Sequence, residues 1–126
     1  MRVGGTEVHI AQTNNSYIFP GLALGIVASK ARRVTDAMVK AASEELVRRL
    51  PTRTDKNASL LPPISQTREL AREIGEAVGR QAIEEGQAQI AEANLIRELE
   101  ANIWNPVYVP YVRKTRSISE AGPAVR

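Results

Sequence analysis

The sequence predicts a mostly helical chain with one short N-terminal strand. Apolar residues recur at three- and four-residue spacing through most of the chain, polar N-cap residues precede these runs, and Pro51 and Gly86 follow the second and third of them. We expect helices over about 16–30, 36–50, 65–85 and 94–103. Polar and apolar residues alternate over about 7–12, which predicts the strand.

Polar residues stand immediately before the first predicted helix. Asn14, Asn15 and Ser16 are all good N-cap residues, able to accept from the N–H groups of a first helical turn. Pro20 is compatible with a helix only in its first turn, where its missing N–H removes no intrahelical bond. Two roles stay open for Asn14 and Asn15: capping alone, or contact with a ligand.

The first predicted helix is apolar on every side. Residues 17–28 fall short of the ~20 apolar residues that span a membrane, so no membrane partner is expected. We expect instead a core helix wrapped on all sides by protein. Gly21 and Gly25 form a stripe of small residues along one face of this helix, and Gly75 and Gly79 form another within the third helix. These stripes predict that the two backbones approach closely.

The later helices have recognisable ends. Thr35 is a hydroxyl N-cap for the second helix, which Pro51 ends, and Gly86 stops the third. Prolines keep the segment over 104–112 extended, and three of the few aromatic residues fall in it. We expect this segment to lie across a neighbouring surface. The basic, polar residues 113–126 predict a disordered tail, which separates them from an ordered unit over 1–112.

Composition limits the class of protein. With 126 residues, 43% of them hydrophobic, the chain has the size of one ordinary domain. Its 17 Lys and Arg are interspersed with 14 Asp and Glu, so a nucleic-acid partner is not expected. The absence of cysteine excludes disulfides, thiolate metal sites and a cysteine nucleophile. Residues 1–5 lack the pattern of a secretory signal.

Motifs that carry chemistry are absent from the sequence. It contains no G-x-G-x-x-G, no P-loop, no H-E-x-x-H and no G-x-S-x-G. The carboxylate pairs at 44–45 and 84–85 occupy adjacent helix positions, which point to different sides and predict solvated faces. His9, the sole histidine, lacks partners at metal-ligand spacing, which favours a structural role. We therefore expect no catalytic and no metal-binding residue in this chain.

Four separated segments carry a resemblance to one enzyme family. They are Ile10–Gly25, Ala31–Asp36, Leu61–Ile64 and Trp104–Tyr111. With these motifs in the family's order and a similarity over roughly 8–113, the chain resembles the malic enzymes, the NAD(P)-dependent oxidative decarboxylases of malate. Its ending resembles their long-form branch.

The resemblance implies a C-terminal fragment of a Rossmann-type α/β NAD(P)-binding domain over 1–112. In the family, the glycine loop, the catalytic tyrosine and lysine and the acidic metal ligands all lie upstream of the part that this chain resembles. What carries over is the pair Asn14 and Asn15, which the resemblance implies binds the malate or pyruvate carboxylate through an amide. Asn14 is also an open candidate for cofactor contact.

The implied function is the oxidative decarboxylation of malate to pyruvate and CO2 by the complete enzyme, with this chain inactive alone. The implied cofactors are NAD or NADP and Mg²⁺ or Mn²⁺, none bound tightly by this chain. Partners would be a second copy or the upstream part of the enzyme, in the cytoplasm or, alternatively, in mitochondria. A second hypothesis is a helical self-association module without catalytic activity. A third is a nucleic-acid binder, which rests only on the basic tail.

Overall fold

Four α-helices, together with four short 3-10 turns, make up most of the part of the chain that the computed structural model describes, which is residues 2–3, 5–7 and 10–112. The prediction of a mostly helical chain is confirmed. The tail over 113–126 and His9 lie outside the described residues. The helices are α1 (Phe19–Ser29), α2 (Asp36–Arg48), α3 (Thr67–Glu84) and α4 (Leu95–Asn102).

The predicted strand over 7–12 is not seen. Two-residue strands β1 (Arg2–Val3) and β2 (Thr6–Glu7) form an antiparallel pair instead, with Arg2 opposite Glu7. Residues 10–12 are not in a strand, and 8–9 lie outside the described residues. The alternation of polar and apolar residues marks a face, but a strand also needs a neighbour for its backbone N–H and C=O groups. Within the described chain only β1 supplies one.

Helix α1 is shorter than the predicted range of 16–30. The chain first forms a 3-10 turn over Asn15–Tyr17, and the α-helix begins at Phe19 with Pro20 in its first turn. It ends at Ser29, because the next residue, Lys30, has a left-handed φ of 52° that breaks the helical path. The N–H of Lys30 bonds to the carbonyls of Ile26 and Val27, which satisfies the end of the helix.

Helix α1 packs on α3 through its glycines. A Cβ added at Gly25 would lie 2.6 Å from the carbonyl oxygen of Gly75 and 2.7 Å from the Cβ of Val78. A Cβ added at Gly21 would lie 2.5 Å from the Cβ of Ile74. Because ordinary contacts between such atoms are longer than this, both positions require glycine. The predicted approach of two backbones is confirmed where Gly25 meets Gly75.

Contrary to the prediction, Gly79 does not pair with the glycines of α1. A Cβ at this position would meet the side chain of Leu95 from α4, at 2.5 Å. The glycine-bearing side of α3 therefore packs against two different helices. Leu95 of α4 fills the space over Gly79, and α1 covers the neighbouring turn. Sequence spacing identifies the stripe on α3 but not the element that covers it.

Two apolar clusters form the core. The larger one joins α2, α3 and the turn before α1, and the smaller one joins α1 to α4. Helix α3 contributes to the larger cluster along its whole length, so it is the central helix. The larger cluster consists of Tyr17, Met38, Ala42, Leu61, Leu70, Ile74, Val78 and Ala82, and the smaller of Ala28, Leu95 and Leu99.

The outer face of α1 is uncovered in this chain, so the expectation of a helix wrapped on all sides is wrong here. Phe19 and Val27 are 60% and 55% exposed, and Ala23 between them is also exposed. Apolar residues on every side of a helix indicate burial somewhere, but they do not say which polypeptide provides the cover.

None of the helices in the described residues is long and apolar enough to cross a membrane.

Substitution of Gly25 by Ala should destabilise the chain. Overpacking of this kind costs about 1–3 kcal/mol, and the gain of about 1 kcal/mol in helix propensity offsets part of it. Because the added Cβ would meet a backbone atom, the carbonyl oxygen of Gly75, the cost lies at the upper end of that range. We expect the free energy of unfolding, measured by urea titration with far-UV circular dichroism, to fall by about 2 kcal/mol. Ala23→Ser adds one atom on the exposed face of the same helix and should change the free energy of unfolding by less than about 0.5 kcal/mol. Equal effects of both variants would contradict the close contact.

Candidate functional site

Asn14 holds the turn that leads into α1. Its backbone is extended, with φ −149° and ψ 175°, and its Oδ1 accepts from the backbone N–H of Ser16 at 2.9 Å. The hydroxyl of Ser16 donates to the same oxygen. Asn14 therefore caps the 3-10 turn, whereas α1 itself begins after Ile18, which provides no side-chain cap. Of the two roles left open by the sequence, capping is seen for Asn14.

Asn15 stands beside it with a different environment. Its backbone carbonyl accepts from the N–H of Ile18 at 3.2 Å, which closes the turn. The side chain is exposed, and among the described residues its amide has no hydrogen-bond partner. Its NH2 group can donate and its oxygen can accept, so this amide can position a carboxylate or keto oxygen. The turn thus presents one amide that is used in capping and one that is not.

Tyr17 ties this turn to a distant part of the chain. Its ring is 6% exposed in the larger core cluster, and its hydroxyl donates to the carbonyl oxygen of Pro62 at 2.9 Å. Pro62 belongs to the apolar connector before α3, in which Leu61 is also buried. The bond ties the turn that carries Asn15 to this connector. Sequence reasoning missed this contact, because nothing in the sequence relates positions so far apart.

A cavity of about 320 Å³ opens next to the turn, between α1, α3 and the end of α4. Two of the side chains that line it are cationic, and none is acidic. The Nε of Arg72 donates to Glu100 at 2.7 Å, and this bond raises the pKa of the Arg72 guanidinium. The pair with Glu100 therefore favours the charged form of Arg72. The lining residues are Ser16, Pro20, Leu24, Thr67, Arg68, Ala71, Arg72, Asn102, Ile103 and Trp104.

The described residues do not form a metal centre. They contain no group of three His, Cys, Asp or Glu side chains close enough to hold a metal ion. Most of their carboxylates are instead used in surface ion pairs, such as Glu76 with Arg80 at 2.8 Å and Glu100 with Arg72 at 2.7 Å. The donor set for Mg²⁺ or Mn²⁺ is therefore not present in this part of the chain.

Comparison with known proteins gives a consistent result. A family model described as malic enzyme, NAD binding domain, matches residues 1–83. The NAD-dependent malic enzyme of Pseudomonas syringae pv. syringae is 45% identical over 116 residues, which are 91% of this chain and 21% of that protein. The NAD-dependent malic enzyme of Edwardsiella ictaluri is 43% identical over 110 residues, 86% of this chain and 20% of that protein. The chain thus spans about a fifth of the length of these curated relatives.

Replacement of Tyr17 by Phe should loosen the turn. The carbonyl of Pro62 would lose its buried donor, which costs about 1–3 kcal/mol of stability. We expect a lower urea midpoint and faster hydrogen exchange of the Ser16 and Ile18 amides, both measured by NMR. Tyr108→Phe removes the same atom from a ring that is fully exposed, at 100%, and should change neither quantity. Unchanged exchange at Ser16 in Tyr17→Phe would show that the bond does not hold the turn.

Proposed function

The chain belongs to the malic enzyme NAD-binding domain family, and on this premise we propose that it is the C-terminal segment of an NAD-dependent malic enzyme. The reaction of the whole enzyme is the oxidative decarboxylation of malate to pyruvate and CO2. The family match over residues 1–83 carries this proposal. The names of the similar bacterial proteins support NAD as the cofactor. A cytoplasmic location is part of the same proposal.

The proposed contribution of this chain to the reaction is substrate positioning by Asn14 and Asn15. An amide NH2 donates to a substrate carboxylate without adding charge to the site. The N-terminal end of α1 favours the same anion, because its first N–H groups carry partial positive charge. Asn15 is the stronger candidate, since its side chain is not used within the turn. Asn14 would combine capping through Oδ1 with donation through its NH2 group.

The remaining machinery has to come from elsewhere in the enzyme. The sequence has no glycine loop for a dinucleotide, and the described residues have no metal-binding cluster. We therefore propose that the chain is inactive alone. Its helices would act as packing elements, with the exposed side of α1 at Phe19, Ala23 and Val27 placed against other parts of the enzyme. Burial of that face would remove large apolar side chains from water.

A chimaera tests the role of the asparagines. This chain replaces the matching segment of the Pseudomonas syringae enzyme, and malate-dependent NADH formation is followed with Mn²⁺ present. Asn15→Ala should lower kcat/KM for malate by about 10- to 100-fold, since a hydrogen bond to a charged group contributes about 1.5–3 kcal/mol. Asn57→Ala, in the exposed loop between α2 and α3, is the matched control and should leave kcat/KM unchanged.

Three outcomes of this experiment test three claims separately: the role of Asn15, the assignment of the segment, and the inactivity of the chain alone. Wild-type activity of the Asn15→Ala chimaera would remove Asn15 from the substrate site. An inactive parent chimaera would count against the assignment of the segment itself. Measurable turnover by the purified chain on its own, under the same conditions, would contradict the proposed inactivity without affecting the family assignment.

A second proposal is self-association through the extended segment 104–112. In it Tyr108 and Tyr111 are 100% and 102% exposed, and Val112 is 88% exposed. Among the described residues its backbone N–H groups make no hydrogen bond to the helices. Arg68 anchors the root of the segment, where it donates to Trp104 O at 3.4 Å and to the side chain of Asn105. An anchored arm of nine residues can reach about 30 Å when extended, far enough to lie on a second copy.

Tyr108→Asp should weaken this association. We expect the purified chain to form oligomers in analytical ultracentrifugation, and the variant to raise the dissociation constant about tenfold or more, because it removes an aromatic contact and adds a charge. Asn57→Asp adds the same charge in an exposed loop and should have no effect. A wild-type chain that stays monomeric at all concentrations would contradict the proposal.

A further inference from the structure

The cavity beside Ser16 has walls suited to a compact apolar group. Pro20 and Leu24 come from α1, Ala71 from α3, and Ile103 and Trp104 from the residues that follow α4. The indole is 76% exposed, so one side of it lies open to a ligand. A volume of about 320 Å³ is at the lower end of the range for small-molecule sites, about 300–1,000 Å³. The walls can hold a body of about the size of one ring.

The charge at the same cavity is positive. Arg72 is paired with Glu100, so its charge is already balanced. Arg68 donates only to neutral oxygens, the backbone carbonyl of Trp104 and the side-chain carbonyl of Asn105. Within the described residues no carboxylate forms an ion pair with Arg68, and no acidic residue lines the cavity. The guanidinium of Arg68 therefore has donors and an uncompensated charge for an anion.

We propose that this cavity binds a small carboxylate that carries a compact apolar body. The carboxylate pairs with Arg68, whose planar group matches it in two hydrogen bonds, and the body lies against Trp104 and Leu24. Malate does not fit this description, since it has two carboxylates, a hydroxyl and no apolar body. The cavity is thus a second site, separate from the exposed amide of Asn15, and it does not depend on the proposed enzymatic function.

Ser16 connects the two sites. Its side chain lines the cavity, and both its N–H and its hydroxyl donate to Asn14 Oδ1. A ligand in the cavity therefore contacts the turn that carries Asn15. Occupation of the cavity should shift the backbone amide resonances of Asn15 and Ser16, whereas those of the α2 face remote from the cavity should stay unchanged.

The single tryptophan of the chain lines this cavity, so its emission responds to a ligand bound there. The full chain is titrated with cyclohexanecarboxylate, and with cyclohexanecarboxamide as a neutral probe of the same shape, while Trp104 fluorescence is recorded. We expect saturable binding of the carboxylate in the millimolar range or tighter, and binding of the amide at least tenfold weaker. The Asn15 and Ser16 amide resonances should shift with the same midpoint.

Substitutions of Arg68 test whether its charge binds the carboxylate. Arg68→Gln should weaken binding of the carboxylate about tenfold, and Arg68→Lys, which keeps the charge but loses the paired hydrogen bonds, should weaken it by a smaller factor. Arg53→Gln removes an exposed arginine outside the cavity and should have no effect. Far-UV circular dichroism verifies that each variant is folded. Equal binding of both probes, unchanged binding in Arg68→Gln, or no response of Trp104 at ten times the expected concentration would overturn the proposal.

Discussion

The close contact of α1 with α3 determines where the two proposed sites lie. Because Gly21 and Gly25 have no side chains, α1 approaches until the Gly75 carbonyl is in direct contact. At that distance the turn before α1 comes beside the start of α3, so Tyr17 can reach Pro62 and Ser16 can share a cavity with Arg68. A wider separation of the helices would remove both arrangements. The exposed amide of Asn15 thus depends on a contact made several residues further along the helix.

The two sides of α1 have opposite environments, and this asymmetry fits a chain that spans about a fifth of its relatives. The side with Gly21, Gly25 and Ala28 is buried within the chain, whereas the side with Phe19 and Val27 is open. A helix that is apolar all round is suited to cover on both sides. Within the described residues only one of the two sides of α1 is covered.

Helices and their close contacts could be predicted from the sequence, because the information is local. The spacing of apolar residues locates α2, α3 and α4, and the glycine stripes predict the approach of Gly25 to Gly75. The strand over 7–12 could not be predicted correctly, since strand formation depends on a partner. The bond from Tyr17 to Pro62 and the cavity lined by Arg68 and Trp104 depend on contacts between distant segments. Sequence spacing carries no signal for these.

The same glycine contact has a consequence for the order of folding. Gly21 meets Ile74, and about 50 residues of chain separate them, whereas α2 and α3 are neighbours in sequence. At a synthesis rate of about 5–20 residues per second, α1 leaves the ribosome roughly 3–10 s before the surface that covers it. During that interval the most apolar helix of the chain has neither α3 nor α4 to pack on. The delay in covering this helix is set by the topology and not by the final stability of the fold.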